Sequence, residues 1–159
     1  MTRSVAPVGS ALDRLAELGI ALPAVVPPLA AYVPAVRSGN LVFTAGQLPI
    51  LDGALVATGK VGIDVLPEDA RHFARIATLN ALAAVHSLVG LDAVSRVVRV
   101  TGYVASAPSF TGQPGVVNGA SELLAEVFGE VGAHARSAVG VAALPLDAPV
   151  EIEVVVEVA

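Results

Sequence analysis

Apolar and polar residues alternate with a period of two in several short segments, which predicts β-strands. The clearest case is the C-terminal run from Val150 to Val158, where valines and Ile152 alternate with three glutamates and Val155. This pattern is typical of a strand with one buried face. The β-branched run from Val97 to Val104 and the segment from Ser137 to Ala143 predict two further strands.

Two hairpins are predicted before the centre of the chain. Tyr32–Val36 and Leu41–Thr44 flank the turn residues Ser38-Gly39-Asn40. In the same way, Leu48–Leu51 and Ala54–Ala57 flank Asp52-Gly53, a strong turn pair.

Three segments have the period of an amphipathic helix. The longest runs from Pro67 to Val89, with proline at its first position, acidic residues in its first turn and Gly90 at its end. A second is predicted from Val116 to Phe128, with Pro108 to Gly115 as the loop before it. A short helix covers Ser10–Leu18, with Ser10 as its N-cap.

The order of elements predicts an α+β domain in which about six strands form a mixed sheet. Two main helices cannot cover both faces of such a sheet, so we expect them on one face. Hydrophobic residues make up 55% of the chain and charged residues only 14%, against roughly 25% charged in a typical domain. We therefore expect partner subunits to bury the other face.

Composition and charge exclude several classes of function. The net charge is −5, Lys60 is the one lysine and aromatic residues make up 4%, which disfavours nucleic acid as a partner. The chain has no cysteine, so disulfides and thiolate metal sites are excluded. His72 and His86 lie about 21 Å apart on the predicted helix and cannot share a metal. Gly53 to Lys60 differs from a phosphate loop in glycine spacing and is better explained as a hairpin turn.

The high mean hydropathy of +0.76 raises the question of a membrane span. The uncharged run from Gly19 to Val36 contains four prolines, which predicts an extended connector instead of a spanning helix. Charged residues from Asp13 to Glu17 interrupt the place of a signal-peptide core. We expect a soluble cytoplasmic protein with no membrane contact.

Two motifs resemble the signatures of one family. Ala133–Val158 contains Arg136-Ser137, then Leu144-Pro145, then a strand that reads Glu-Ile-Glu, and Phe43–Pro49 contains a Gly-Gln-Leu-Pro stretch. Together they resemble the RidA/YjgF family of reactive intermediate deaminases, also called the L-PSP endoribonuclease family. The resemblance covers residues 32–159 and leaves residues 1–31 as an N-terminal helix and proline-rich connector, as in a longer branch of the family.

The resemblance implies a chorismate-mutase-like fold, a homotrimer with sites between subunits and no cofactor or metal. The implied activity is hydrolysis of enamines and imines of 2-amino acids, such as 2-aminoacrylate, to 2-oxo acids and ammonia. The implied catalytic residues are Arg136 and Glu151. The implied substrate-binding residues are Tyr32, Ala45, Gly46, Asn118 and Ala138, where Ala45 and Ala138 stand in place of the serine and cysteine common in the family.

The chemistry of these residue types fits that role. The planar guanidinium of Arg136 can hold the carboxylate of a small ligand through two hydrogen bonds. Glu151 could position or deprotonate a water molecule if burial raised its pKa. Tyr32 and Asn118 could hydrogen-bond the imine nitrogen, and Gly46 leaves room for close approach.

Each of these residues also has a structural explanation, and other functions stay open. Arg136 could pair with a neighbour's glutamate, Glu151 could lie on a solvated face, Tyr32 could pack, and Asn118 could cap a helix. The two alanines favour, as an alternative, a regulatory module that binds small carboxylates without efficient catalysis. A third alternative is an endoribonuclease or translation inhibitor, which the acidic composition opposes.

Overall fold

The computed structural model describes residues 9–159, so the first eight residues of the predicted N-terminal region lie outside it. The described chain has three α-helices: Ala11–Glu17 (α1), Pro67–Val89 (α2) and Gln113–Phe128 (α3). Its seven strands are Ala35–Ser38 (β1), Leu41–Thr44 (β2), Ile50–Leu51 (β3), Ala54–Leu55 (β4), Val94–Ala105 (β5), Ala135–Val141 (β6) and Val150–Val158 (β7).

Five strands form one mixed sheet in the order β1-β2-β7-β5-β6. Neighbouring strands are antiparallel except β5 and β6, which are parallel and joined through α3. The second predicted hairpin does not join this sheet. Strands β3 and β4 form a small sheet of their own, so the main sheet has five strands where about six were expected.

The helices α2 and α3 pack on one face of the sheet, as predicted. Every second residue of β7, from Val150 to Val158, is buried on that face. The two helices approach each other closely at Gly119, where an added methyl group would overlap the backbone of α2 at Arg71. A glycine is therefore required at this helix crossing.

Within residues 9–159, no helix covers the opposite face of the sheet. It carries the half-buried Glu151, Glu153 and Glu157 of β7. Phe43, paired with Val155, and Val139, paired with Tyr103, are 40% and 41% exposed on the same face. We refer to it below as the open face.

Several predicted boundaries are confirmed residue for residue. Helix α2 and strand β7 have the predicted ends, and the Ser10 hydroxyl accepts a hydrogen bond from the Asp13 amide at 3.1 Å at the start of α1. Helix α3 begins at Gln113, three residues earlier than predicted, because Pro114 is compatible with a first helical turn.

The connector between α1 and β1 contains no helix or strand. Leu18, Ile20 and Leu22 pack against the core and attach its first part to the domain. Among the described residues, no helix is long and apolar enough to cross a membrane.

Candidate functional site

Arg136 is held on the helix-covered side of β6 by three neutral acceptors from α3. Its guanidinium donates to Asn118 Oδ1 at 2.8 Å and to Ser121 Oγ at 3.1 Å. Its second terminal nitrogen donates to the carbonyl of Pro114 at 3.1 Å. None of these partners is charged, and no carboxylate among the described residues pairs with Arg136. The arginine is therefore oriented while its charge stays available to an anion.

The contact to Ser121 is continued by His134. The ring of His134 lies 2.9 Å from Ser121 Oγ through Nε2 and 2.7 Å from the Gly132 carbonyl through Nδ1. Because a carbonyl only accepts, Nδ1 carries a proton, and in the tautomer whose single proton is on Nδ1, Nε2 accepts from Ser121. Sequence reasoning missed Ser121, although it lies three residues after Asn118, on the same face of a helix.

Asn118 and Ala138 lie beside this arginine, as the predicted site requires. Asn118 is in the second turn of α3, and its side chain accepts from Arg136 instead of capping the helix. Ala138 lies two residues after Arg136 on the same face of β6 and packs against the core.

Glu151 lies on the open face of β7, against the loop that follows β2. Its carboxylate lies so close to Gly46 that a Cβ there would come within 2.7 Å of Glu151 Cδ. Burial raises the pKa of Glu151, and the nearby negative charge of Glu153 raises it further. The half-buried Glu151 therefore meets the condition stated above for acting on a water molecule, and it is not simply a solvated surface carboxylate.

Glu153 in turn accepts a hydrogen bond from the Tyr103 hydroxyl at 2.9 Å. This bond is the main reason why the pKa of Tyr103 is raised. Glu153 and Tyr103 were not among the predicted site residues. The period-two pattern of β7 places Glu151 and Glu153 on one face. The position of Tyr103 on that same face depends on the pairing of β5 with β7, which the sequence pattern does not contain.

The loop from Ala45 to Gln47 is fixed by backbone hydrogen bonds. The amide of Ala45 donates to the Pro34 carbonyl at 2.8 Å, and Gln47 exchanges two backbone hydrogen bonds with Ile152. The Gly46 backbone is thereby held beside Glu151. A cavity of about 40 Å³ lies here and is lined by Tyr32, Gly46, Pro145 and Glu151, among others.

Tyr32 contributes to this cavity from the end of the connector. Its side chain is 46% exposed, so it is not a buried packing residue. Its hydroxyl accepts a hydrogen bond from the Leu29 amide at 3.3 Å.

The predicted site residues therefore form two groups in one chain. Arg136, Asn118 and Ala138 lie on the helix-covered side, whereas Tyr32, Ala45, Gly46 and Glu151 lie at the open face. Arg136 pairs with Val100 and Glu151 pairs with Tyr103, with β5 between their strands. This register separates them by about 10 Å along the sheet and about 10 Å across it. The two catalytic candidates do not share a pocket within one protomer.

No group of three histidine or acidic side chains that could hold a metal occurs within residues 9–159. Lys60 binds Asp147 at 3.0 Å, and its amide donates to Asp64. The segment that loosely resembled a phosphate loop is a turn region, as interpreted from the sequence.

The five-stranded sheet with helices on one face defines an α+β domain of the chorismate-mutase-like kind. Residues 12–158 match the family described as "YjgF/chorismate mutase-like, putative endoribonuclease". The chain belongs to this YjgF family, as the two motifs had indicated.

Related proteins agree with this assignment. The chain is 44% identical over 156 residues to protein TCP17 of Trypanosoma cruzi, covering 97% of this chain and 98% of that protein. It is 35% identical over 133 residues to a RutC family protein of Haemophilus influenzae, covering 84% and 88%.

Solved structures have the same fold. The crystal structure of protein Atu1372 of Agrobacterium tumefaciens superposes with a TM-score of 0.87 at 45% identity, covering 94% of this chain and 92% of that one. Escherichia coli TdcF, crystallised with bound serine, superposes with a TM-score of 0.57 at 28% identity, covering 86% and 93%.

Proposed function

We propose that the protein hydrolyses imines of 2-amino acids, and the enamines that equilibrate with them, to 2-oxo acids and ammonia. One imine and one water give one 2-oxo acid and one ammonia, so the reaction needs no oxidant or reductant. The observation that carries the proposal is Arg136, an oriented guanidinium whose partners within its own chain are all neutral. The serine bound to the related TdcF supports a small amino-acid-like ligand.

Arg136 would bind the carboxylate next to the reacting carbon. Asn118, Ser121 and the Pro114 carbonyl hold the guanidinium in one plane before the ligand arrives. Prior orientation lowers the entropy cost of binding. A pair of hydrogen bonds to the carboxylate would fix the direction in which the imine carbon points.

Glu151 would act as the general base. Its carboxylate would take a proton from the water that attacks the imine carbon, and would return it to the nitrogen that leaves as ammonia. A pKa raised by burial and by Glu153 brings this group closer to the pH at which it must both accept and release a proton.

The complete site would form between subunits of a homotrimer. Arg136 and Glu151 lie on opposite sides of the sheet in one protomer, so in this proposal each site takes Arg136 from one subunit and Glu151 from another. The open face, with Phe43 and Val139 exposed, is the surface on which a second protomer would pack.

Turnover of 2-aminoacrylate generated in place by a serine dehydratase tests the proposal. The wild-type protein should accelerate pyruvate release above the spontaneous rate. Arg136→Ala should lower kcat/KM at least about 10²-fold, because it removes a charged pair of hydrogen bonds. Arg37→Ala is the matched control, since Arg37 is exposed on edge strand β1 and, in the part of the chain that the structure describes, its side chain bonds only the nearby Gly39 carbonyl.

Acceleration that survives in Arg136→Ala would contradict the assigned anchor. No acceleration with any imine, together with binding of small carboxylates, would favour a regulatory binding module. An endoribonuclease is disfavoured by the net charge of −5 and the single lysine, and three of the arginines, Arg14, Arg71 and Arg75, are each paired with a glutamate.

A further inference from the structure

A larger cavity of about 570 Å³ lies beside the small one at Glu151. The connector from Pro23 to Leu29 and the β3–β4 hairpin form its walls, and Leu146 contributes from the loop before β7. We refer to it as the connector cavity. Its lining side chains are apolar except those of Asp52 and Asn80. Its volume falls within the range of roughly 300–1,000 Å³ that is usual for small-molecule sites.

The connector cavity and the Glu151 cavity share one wall. Val26, Pro27, Pro28, Leu29 and Ile50 line both. The Glu151 cavity, at about 40 Å³, has room for only a few water-sized groups. A molecule that reacts at Glu151 and extends along this wall would place its remaining atoms in the connector cavity.

The rim of the connector cavity is built at a conformational cost. Leu146 and Asp147 both have a φ of +59°, a left-handed conformation that costs an ordinary residue about 1–2 kcal/mol. This turn places Pro145 against the Glu151 cavity and Leu146 against the connector cavity. Leu146 is nevertheless 58% exposed. This apolar side chain therefore lines the cavity while much of it stays accessible to solvent.

Of the two polar side chains that line the cavity, Asp52 is exposed, whereas Asn80 is buried and has a free acceptor. Asn80 is 1% exposed, and its amide nitrogen donates both hydrogens, to the carbonyls of Leu48 and Ile50 at 3.0 and 2.9 Å. Because both partners only accept, the assignment of the nitrogen is fixed, and Oδ1 is left without a donor among the described residues. Asn80 therefore presents an acceptor to the cavity.

From these features we infer that the connector cavity binds a large apolar side chain of the substrate that carries one hydrogen-bond donor. The fitting class is an imino acid with an aromatic side chain of phenol or indole type. The inference rests on the proposed hydrolysis at Glu151 and adds the substrate class. The ring contacts the proline-rich wall, and its single donor reaches Asn80 Oδ1.

Imines generated by an amino-acid oxidase from alanine, phenylalanine and tyrosine test the inference. The phenylalanine-derived imine should have a kcat/KM at least about 10-fold above the alanine-derived one, because each methylene in an apolar pocket is worth about that factor. The tyrosine-derived imine should be better again. Equal values for the phenylalanine and tyrosine imines would overturn the role of Asn80.

A cavity-filling variant isolates the connector cavity from the reaction itself. Ala24 lines the connector cavity and not the Glu151 cavity, and its side chain is exposed. Ala24→Phe should remove the preference for aromatic imines, so that the phenylalanine-derived imine is hydrolysed no better than the alanine-derived one. Ala21→Phe adds the same ring at an exposed position of the connector outside the cavity, and it should keep the preference.

Calorimetric binding of the stable products separates this inference from the proposed reaction. The 2-oxo acid of tyrosine should bind the wild-type protein at least about 10-fold more tightly than pyruvate, and Ala24→Phe should abolish the difference. If this holds without any imine turnover, the cavity assignment stands and the hydrolase proposal fails. If turnover occurs with no preference among side chains, the cavity assignment fails alone.

A subunit contact is the alternative occupant of the cavity. In that case Ala24→Phe would change the oligomer mass measured by light scattering, and the preference among imines would not change. That result would overturn the inference. An unchanged mass with a lost aromatic preference supports it.

Discussion

Gly46 and Glu151 form the most constrained pair of residues in the candidate site. Any side chain at position 46 would overlap the Glu151 carboxylate, so the glycine sets where that carboxylate lies. The glycine of the Gly-Gln-Leu-Pro motif is thus explained by its contact with Glu151, which leaves no room for a side chain. The motif in the sequence indicated close approach of a ligand, whereas the structure adds close approach of the catalytic candidate itself.

The second glutamate of the Glu-Ile-Glu motif, Glu153, should shift the pH dependence of turnover through its effect on the pKa of Glu151. Burial and the charge of Glu153 both raise the pKa of Glu151, and a general base works in its ionised form. Glu153→Gln removes a negative charge, which stabilises ionised Glu151 and lowers its pKa. The acidic limb of the profile of kcat/KM against pH should therefore move to lower pH.

Glu157→Gln is the matched control for that experiment. Glu157 lies on the same face of the same strand, but it does not contribute to the pKa shift of Glu151. The acidic limb of the kcat/KM profile of Glu157→Gln should coincide with that of the wild-type protein. A Glu153→Gln profile that also coincides would contradict Glu151 as the titrating base.

At the scale of elements, capping residues and hydrophobic periodicity predicted the helices and strands correctly wherever these local patterns agreed with the packing of the fold. The ends of α2 follow from Pro67 and Gly90, and the period of β7 follows from its buried face. The predicted start of α3 at Val116 was wrong. Pro114 and Gly115 suggested a loop, although a proline is compatible with the first turn of a helix. The separation of β3 and β4 from the main sheet depends on long-range packing, which no local pattern contains.

Two glycines of α3 should respond in opposite directions to the same substitution. Gly115 is exposed, and an added methyl group would meet nothing within 4 Å, so Gly115→Ala should stabilise by about 0.5–1 kcal/mol through helix propensity. Gly119 faces the backbone of α2 at Arg71, so Gly119→Ala should destabilise by about 1–3 kcal/mol through overpacking. Urea unfolding gives both values.

The glycine pair is its own control, because the helix and the chemical change are the same. Equal effects at the two positions would mean that α2 and α3 do not approach each other as closely as the structure has them. Loss of stability at Gly115 would instead place that position in an interface.

At the scale of the whole molecule, the sequence motifs indicate candidate site residues but not where the fold places them relative to one another. Arg136 lies on β6, which is parallel to β5, and its pairing with Val100 places it on the side that α3 covers. Glu151 lies on β7, which is antiparallel to β5, and its pairing with Tyr103 places it on the open face. Whether two residues of a sheet share a face depends on the register of strands far apart in sequence. The motifs contain no information about that register.

Mixing two inactive variants tests whether one site takes residues from two chains. Arg136→Ala keeps Glu151, and Glu151→Gln keeps Arg136, so each should be inactive alone at every site. In randomly mixed trimers at equal amounts, about a quarter of the interfaces combine an intact Arg136 with an intact Glu151. Unfolding the variants together and refolding them should therefore restore about a quarter of the wild-type rate.

Variants refolded separately and then combined should stay inactive, since each trimer then lacks one residue throughout. A mixture that also stays inactive after joint refolding would mean that the two residues never act in one site.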